Sequence, residues 1–165
     1  MPFSKNIIYL WFALSIVFPV HALGIGENNL CQSEVNQLAC LKANFDALYE
    51  ENFDRFWAIV HEAAAKAEKC SLLPDTVDFL DLVKIKSNNT EFNEFFSEII
   101  ERMTTRETEC LLNAVTMMDE ASQKLIMGKL RNPLFGESAT IEKALKNAQN
   151  DKFKSIVDLY FKSNK

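Results

Sequence analysis

Apolar residues recur at intervals of three and four along most of this chain, the spacing that places them on one face of an α-helix. Two such stripes cover residues 31–48 and 53–70. Between Gly26 and Pro74 the sequence contains neither glycine nor proline. Strand-rich domains need turn residues about every 8 to 12 positions, so this composition favours long helices over strands. The pattern predicts an all-α bundle of about six to eight helices.

The first stripe can be traced through residues 32–70 without a clear end, so it fits either one long helix or two. Glu50, Glu51 and Asn52 form its most polar interruption, and Asn52 is a favourable N-cap for a helix that begins at Phe53. We therefore favour an αα-hairpin whose two antiparallel arms meet near Glu50. Residues whose numbers sum to about 101 then stand level on the two arms.

Downstream, the same spacing predicts shorter helices separated by polar or turn residues. Thr104 and Glu107 match a capping box, which predicts a helix break near Thr104. The sequence Asn-Pro-Leu-Phe-Gly at residues 132–136 is the clearest turn in the chain. The helices predicted after the hairpin are residues 75–86, a helix with Thr90 as its N-cap, a helix that carries Cys110, a helix that begins near Asp119, and residues 139–149 and 151–162.

The amino-terminal segment is apolar without helical spacing. Lys5 precedes an apolar run over residues 7–18, and Val20 and Ala22 supply the small residues of a cleavage site. A positive start, an apolar run and small residues, in this order, are typical of a secretory signal peptide. We interpret residues 1–22 as a signal peptide that is cleaved after Ala22.

A membrane anchor is the alternative interpretation of this segment. Spanning a bilayer needs about 20 apolar residues, and Pro19 and His21 break this run too early. Charged residues recur every few positions from Glu27 onward, so no later stretch predicts a membrane span. We therefore expect a secreted, extracellular protein that consists of one helical domain, residues 23–165.

Charge limits the classes of partner. The 165-residue chain has a formal net charge of −5, which becomes −6 when Lys5 is removed with the signal peptide. The sequence also contains no stripe or cluster of lysine and arginine. These features argue against nucleic acid and against an anionic membrane surface as partners.

The four cysteines are interpreted as cross-links, because a secreted chain folds in an oxidising compartment. Three pairings exist. The hairpin register favours Cys31 with Cys70 and Cys40 with Cys110, and the second choice joins Cys40 to Cys70 and Cys31 to Cys110. The third pairs Cys31 with Cys40. A single helix would hold these two residues about 13.5 Å apart along its axis, whereas the Cα atoms of a disulfide lie about 4.4 to 6.8 Å apart. This pairing therefore requires Cys31 to lie outside the helix.

Residues for catalysis and metal binding are scarce. His61 is the one histidine after residue 22, and no phosphate-binding loop, HExxH motif or EF-hand pattern is present. The cysteines are too widely spaced for a typical zinc site. The carboxylates of Glu101, Glu107 and Glu109 are interpreted as a solvated helix face. We therefore expect no enzymatic activity, no metal and no cofactor.

Asn88-Asn89-Thr90 is an N-glycosylation sequon in a predicted polar loop. In a secreted protein a glycan on Asn88 would force this loop to the surface. The sequence therefore predicts Asn88 as a candidate glycosylation site.

Aromatic and methionine side chains suggest two functions. In the first, the protein carries an apolar small molecule such as a lipid in a cavity among five residues, Phe53, Trp57, Phe92, Phe96 and Met103. In the second, these residues fill a solid core, and the protein is an extracellular protein–protein interaction or effector module that acts through its surface.

Overall fold

The computed structural model describes Cys31 and residues 36–162, and within this part it contains nine α-helices, one 3-10 helix and no strand. The predicted signal peptide, residues 1–22, lies outside the described residues. The all-α, disulfide-bonded fold is confirmed. The helices are α1 (Gln37–Ala43), α2 (Phe45–Glu51), α3 (Phe53–Lys69), α4 (Leu73–Leu80), α5 (Thr90–Arg106), α6 (Thr108–Thr116), α7 (Glu120–Arg131), α8 (Ser138–Ala148) and α9 (Lys154–Phe161), with the 3-10 helix at Asp81–Lys84 after α4.

None of the helices within residues 36–162 combines the length and the apolar composition that crossing a bilayer requires.

The amino-terminal hairpin forms as expected, but its first arm is divided into α1 and α2. Asn44 ends α1 by donating from its side-chain amide to the Cys40 carbonyl oxygen at 3.0 Å. This division of the arm gives nine α-helices within the described residues, one more than the upper limit of the prediction. Asn52 then caps α3, because its side-chain oxygen accepts from the Arg55 backbone N–H at 3.2 Å. The predicted register is also correct, since the rings of Phe45 and Phe56 lie 4.9 Å apart.

The favoured disulfide pairing is wrong. Cys31 is bonded to Cys40, with 5.6 Å between their Cα atoms, and Cys70 is bonded to Cys110. Cys31 has a left-handed backbone with a φ of 64° and does not extend α1. Its carbonyl oxygen accepts from the Arg55 guanidinium at 3.0 Å, which places Cys31 near the start of α3, whereas Cys70 caps the other end of that helix.

Local capping differs from prediction at α5 and agrees at α7. Asn89, and not Thr90, caps α5, because its side-chain oxygen accepts from the Phe92 N–H at 2.9 Å. Thr104 does not end α5. This threonine is buried, and its hydroxyl donates to the Ile100 carbonyl oxygen at 2.7 Å instead. Asp119 caps α7 as predicted, with its carboxylate accepting from the Ser122 N–H at 3.0 Å.

The helices share one hydrophobic core to which α5 contributes a wide buried face. Five apolar side chains of α5 point into it, at the three-and-four spacing of an amphipathic helix. They are Phe92, Phe96, Ile99, Ile100 and Met103. Edge-to-face ring contacts join Phe92 to Phe45 at 4.8 Å and to Phe56 at 6.2 Å. This packing fixes α5 beside α3, where the two helices form a surface rich in aromatic side chains.

Candidate functional site

The five residues predicted to line a ligand cavity fall into two groups. Phe92, Phe96 and Met103 are buried in the core. Phe53 is 46% exposed and Trp57 is partly buried, so both lie at the surface. Four surface depressions of about 460 to 600 Å³ are open to solvent, and none of them is lined by any of the five residues.

Phe53 and Trp57 belong to a continuous row of aromatic side chains, which we call the aromatic seam: Tyr49, Phe53, Trp57, His61 and Phe95. The first four are spaced by four residues along α2 and α3, which places them on one face. Centroid distances are 5.3 Å from Tyr49 to Phe53, 6.3 Å from Phe53 to Trp57 and 5.4 Å from Trp57 to His61. Phe95 of α5 closes the row, 5.5 Å from Trp57 and 4.7 Å from His61.

Polar contacts join α2 and α3 to α5 on either side of the aromatic seam. At one end the Tyr49 hydroxyl donates to Glu91 at 3.0 Å, and this hydrogen bond raises the pKa of Tyr49. At the other end the Arg102 guanidinium donates to both carboxylate oxygens of Glu68 and also to Glu98. Phe56 near the start of α3 contacts Phe92 near the start of α5, and Glu68 at the end of α3 contacts Arg102 near the end of α5, so the two helices run in the same direction. These contacts keep α5 beside the hairpin, with Phe95 next to Trp57 and His61.

Exposed acidic residues are close neighbours of seam residues in the sequences of both α3 and α5. Asp54 follows Phe53 on α3, and Glu94 precedes Phe95 on α5. Both carboxylates are exposed, and neither forms an ion pair with another described residue. Near the Tyr49 end, a shallow groove adds Asp46, Glu50 and Glu91. The seam is thus an apolar row with acidic borders.

Asn88 lies in the same groove as Tyr49, Glu50 and Glu91. Its side chain is exposed in the loop before α5, as glycosylation would require. Occupancy of the sequon stays a prediction. A glycan on Asn88 would stand beside the Tyr49 end of the aromatic seam.

A second feature is the loop at residues 132–136, which the buried carboxylate of Glu101 holds in place. Glu101 is only 4% exposed. Its Oε1 accepts from the Leu134 N–H at 2.7 Å, and its Oε2 accepts from the N–H groups of Phe135 at 2.9 Å and Gly136 at 2.7 Å. Consecutive backbone N–H groups that converge in this way form a nest for a negative charge. We call residues 132–136 the anchored loop.

The anchored loop presents two apolar side chains to solvent. Leu134 is 62% exposed and Phe135 is 57% exposed, although the backbone between them is tied to the core. The turn was predicted correctly. The interpretation of Glu101 as solvated is wrong, because the backbone of residues 134–136 packs over its carboxylate and buries it.

The cysteines have the structural role that the sequence indicated. All four cysteines form disulfides, which confirms their interpretation as cross-links. His61 is exposed and stacks beside Phe95 in the aromatic seam. Within Cys31 and residues 36–162, no group of three or more histidine, cysteine or acidic side chains is arranged to hold a metal ion.

Comparisons with protein-family models, with curated proteins and with solved structures found no match to this chain. Function must therefore be argued from its own surfaces. Sequence reasoning missed the aromatic seam because Phe53 and Trp57 share one helical stripe with core residues such as Phe56. The four-residue spacing of Tyr49, Phe53, Trp57 and His61 was the signal that could have separated the surface row from the core.

Proposed function

We propose that this protein is a secreted, non-enzymatic interaction module that binds an extracellular protein through its surface. The proposal rests on where the five residues predicted to line a ligand cavity lie, since three are in the core and two are at the surface. Phe92, Phe96 and Met103 pack in the core, whereas Phe53 and Trp57 lie in the aromatic seam. This arrangement favours the interaction module over a carrier of apolar ligands.

Exposed aromatic side chains support a binding surface. Burying a large apolar side chain stabilises a complex, and aromatic residues are enriched at the centres of protein interfaces. The aromatic seam and the anchored loop both leave such side chains in contact with solvent, including Phe53, Leu134 and Phe135. Isolated exposed apolar residues are ordinary, but a contiguous row marks an interaction site.

Secretion is supported by the predicted signal peptide and by the two disulfides. Disulfides persist in oxidising compartments and are rare in the cytosol. Both disulfides are compatible with an extracellular location. The sequon at Asn88 fits the same compartment, since its asparagine is exposed.

Native mass spectrometry of the protein purified from its own host tests this proposal against the carrier hypothesis. We expect the mass of the polypeptide that begins at residue 23, with or without a glycan on Asn88. A denaturing measurement of the same sample separates a covalent glycan from a non-covalent ligand. A bound lipid that is present only in the native spectrum would overturn the proposal and support the carrier function.

A matched pair of surface variants tests whether the aromatic seam is the binding surface. Phe53→Ser removes a partly exposed ring from the seam, and Phe161→Ser removes one of similar exposure from α9. Each variant and the wild type are incubated with extracellular proteins of the host, and the bound proteins are compared. Chemical cross-linking at seam residues identifies the partner. We expect the Phe53 variant to lose a partner that the Phe161 variant retains. Equal retention by both variants would exclude the seam as the site.

A further inference from the structure

We infer that the aromatic seam binds a basic segment of its protein partner, whose arginine or lysine side chains lie across the exposed rings between the flanking carboxylates. This inference rests on the proposed binding function and names the chemistry of the partner.

Charge complementarity is the first argument. Asp54 lies three positions before Trp57 on α3 and Glu94 directly precedes Phe95 on α5, so each helix carries an exposed carboxylate close in sequence to a seam residue. Asp46 and Glu50 line the groove at the Tyr49 end. None of these four carboxylates forms an ion pair within the described part of the chain. An acidic surface attracts cationic partners and repels anionic ones.

Three of the protein's own cations near the aromatic seam already have partners. The Arg55 guanidinium donates to the Cys31 carbonyl oxygen. Lys66 pairs with Glu62 at 2.7 Å, and Arg102 pairs with Glu68 and Glu98. Lys86, in the groove at the Tyr49 end, is the exception, with no ion pair among the described residues. Asp54 and Glu94 therefore have no ion-pair partner within the described residues, whereas Asp46 and Glu50 share their groove with Lys86.

The exposed rings are the second argument. A cation is attracted to the face of an aromatic ring by the ring's quadrupole. Elsewhere in the protein, lysines occupy such positions, at 5.3 to 5.8 Å from the ring centroids of Phe96, Phe153 and Phe161. Among the described residues, no cation lies over a ring of the aromatic seam. Phe53 is 46% exposed and is more open than the partly buried Tyr49, Trp57 and Phe95. Tyr49 and Trp57 approach it edge to face.

The length of the aromatic seam sets the size of the segment. Tyr49 and His61 are twelve positions apart on two consecutive helices, which corresponds to about 18 Å at 1.5 Å per residue. An extended peptide advances about 3.3 Å per residue, so about six residues span the seam. Cationic side chains at alternate positions of such a peptide would point to the same side.

Tryptophan fluorescence tests the inference directly. Of the two tryptophans, Trp11 is removed with the signal peptide, so Trp57 is the single emitter in the secreted chain. The probe is a capped hexapeptide of alternating arginine and serine, and the control peptide replaces arginine with glutamate. We expect a saturable change of Trp57 emission with the arginine peptide, weakened about fivefold in 0.5 M salt because surface charges are screened. No change is expected with the glutamate peptide.

Two charge-matched variants separate the site from net charge. Asp54→Asn with Glu94→Gln neutralises the borders of the seam, whereas Glu137→Gln with Asp151→Asn makes the same charge change at exposed positions outside it. We expect about fivefold weaker binding of the arginine peptide for the first pair, from two lost surface ion pairs, and less than twofold for the second. Equal weakening would show attraction to net charge alone and would overturn the inference. Circular dichroism of each variant reports its folding.

The outcomes distinguish this inference from the proposed function. If native mass spectrometry finds no ligand and the Phe53→Ser variant loses its host partner, the proposed function holds. A failure of the arginine peptide to bind in that case overturns the basic-segment inference alone. A bound lipid in the native spectrum overturns the proposed function, whatever the peptide does.

Discussion

The Glu101 carboxylate gives the sharpest test of how this fold is held together. Three backbone N–H groups donate to it from the anchored loop, at 2.7 to 2.9 Å. Hydrogen bonds to a charged group contribute about 1.5 to 3 kcal/mol each, and a buried donor without a partner is costly. Glu101→Gln keeps the size of the side chain but replaces one acceptor oxygen with an amide group that itself donates.

The expected cost follows from this geometry. Whichever way the new side-chain amide is oriented, at least one loop N–H faces a donor instead of an acceptor, and the remaining bonds lose their charge. We expect the free energy of unfolding to fall by about 2 to 4 kcal/mol. With a urea m-value of about 1.5 to 2 kcal/mol/M, the midpoint of unfolding falls by about 1 to 3 M. Hydrogen exchange at Leu134, Phe135 and Gly136 should also become faster.

Glu98→Gln is the matched control, since it makes the same change on the same helix. Glu98 is partly exposed and pairs with Arg102 at 3.0 Å, and exposed ion pairs contribute about 0 to 1 kcal/mol. If both variants unfold at the same urea concentration and the loop amides of the Glu101 variant stay protected, the carboxylate does not hold the loop and our reasoning is wrong.

Three further predictions concern cross-links, pH and glycosylation. Replacing Cys70 and Cys110 together by alanine should lower the free energy of unfolding by about 4 kcal/mol, because this bond closes a 40-residue loop. The other disulfide closes a nine-residue loop and should contribute about 2.6 kcal/mol, so equal urea midpoints for the two double variants would refute this order. The hydrogen bonds from Lys84 and Ser122 lower the pKa of Asp119. Its charge therefore stabilises the fold at pH values above the ordinary carboxyl pKa. The melting temperature of the wild type should exceed that of Asp119→Asn there, and this difference should narrow as the pH falls below the ordinary carboxyl pKa. A difference that grows in acid would contradict the prediction. Asn88→Gln should remove the mass of one glycan from the protein secreted by its host, and an unchanged mass would show that the sequon is unoccupied.

Much of the fold could be predicted because its signals are local. Asn52 and Asp119 each cap a helix at the predicted position, since a cap depends on a side chain and a backbone N–H only three residues away. The hairpin register followed from one polar interruption. The disulfide pairing could not be predicted in the same way, because it depends on a left-handed turn at Cys31 and on a contact with Arg55, 24 residues away.

The burial of Glu101 shows why periodicity alone was insufficient. Ser97, Glu101 and Thr104 form a polar stripe beside the apolar face of α5, and a polar stripe normally faces water. All three are buried, and the backbone of residues 134–136 covers the Glu101 carboxylate. Only the arrangement of distant helices turns such a stripe from a solvated face into an internal anchor. The aromatic seam was missed for the opposite reason. Its rings follow the same apolar spacing as core residues, and only the packing of α5 beside α3 shows that they lie at the edge of the core.

Because Glu101 holds the anchored loop through its backbone, the conformation of the loop does not depend on which side chains the loop carries. Glu101 binds the N–H groups of Leu134, Phe135 and Gly136, and any residue except proline supplies that group. The side chains at positions 134 and 135 are therefore free to change while the loop keeps its conformation. This makes the anchored loop a display site, where other side chains, labels or recognition groups are held rigidly at the surface at little cost to folding.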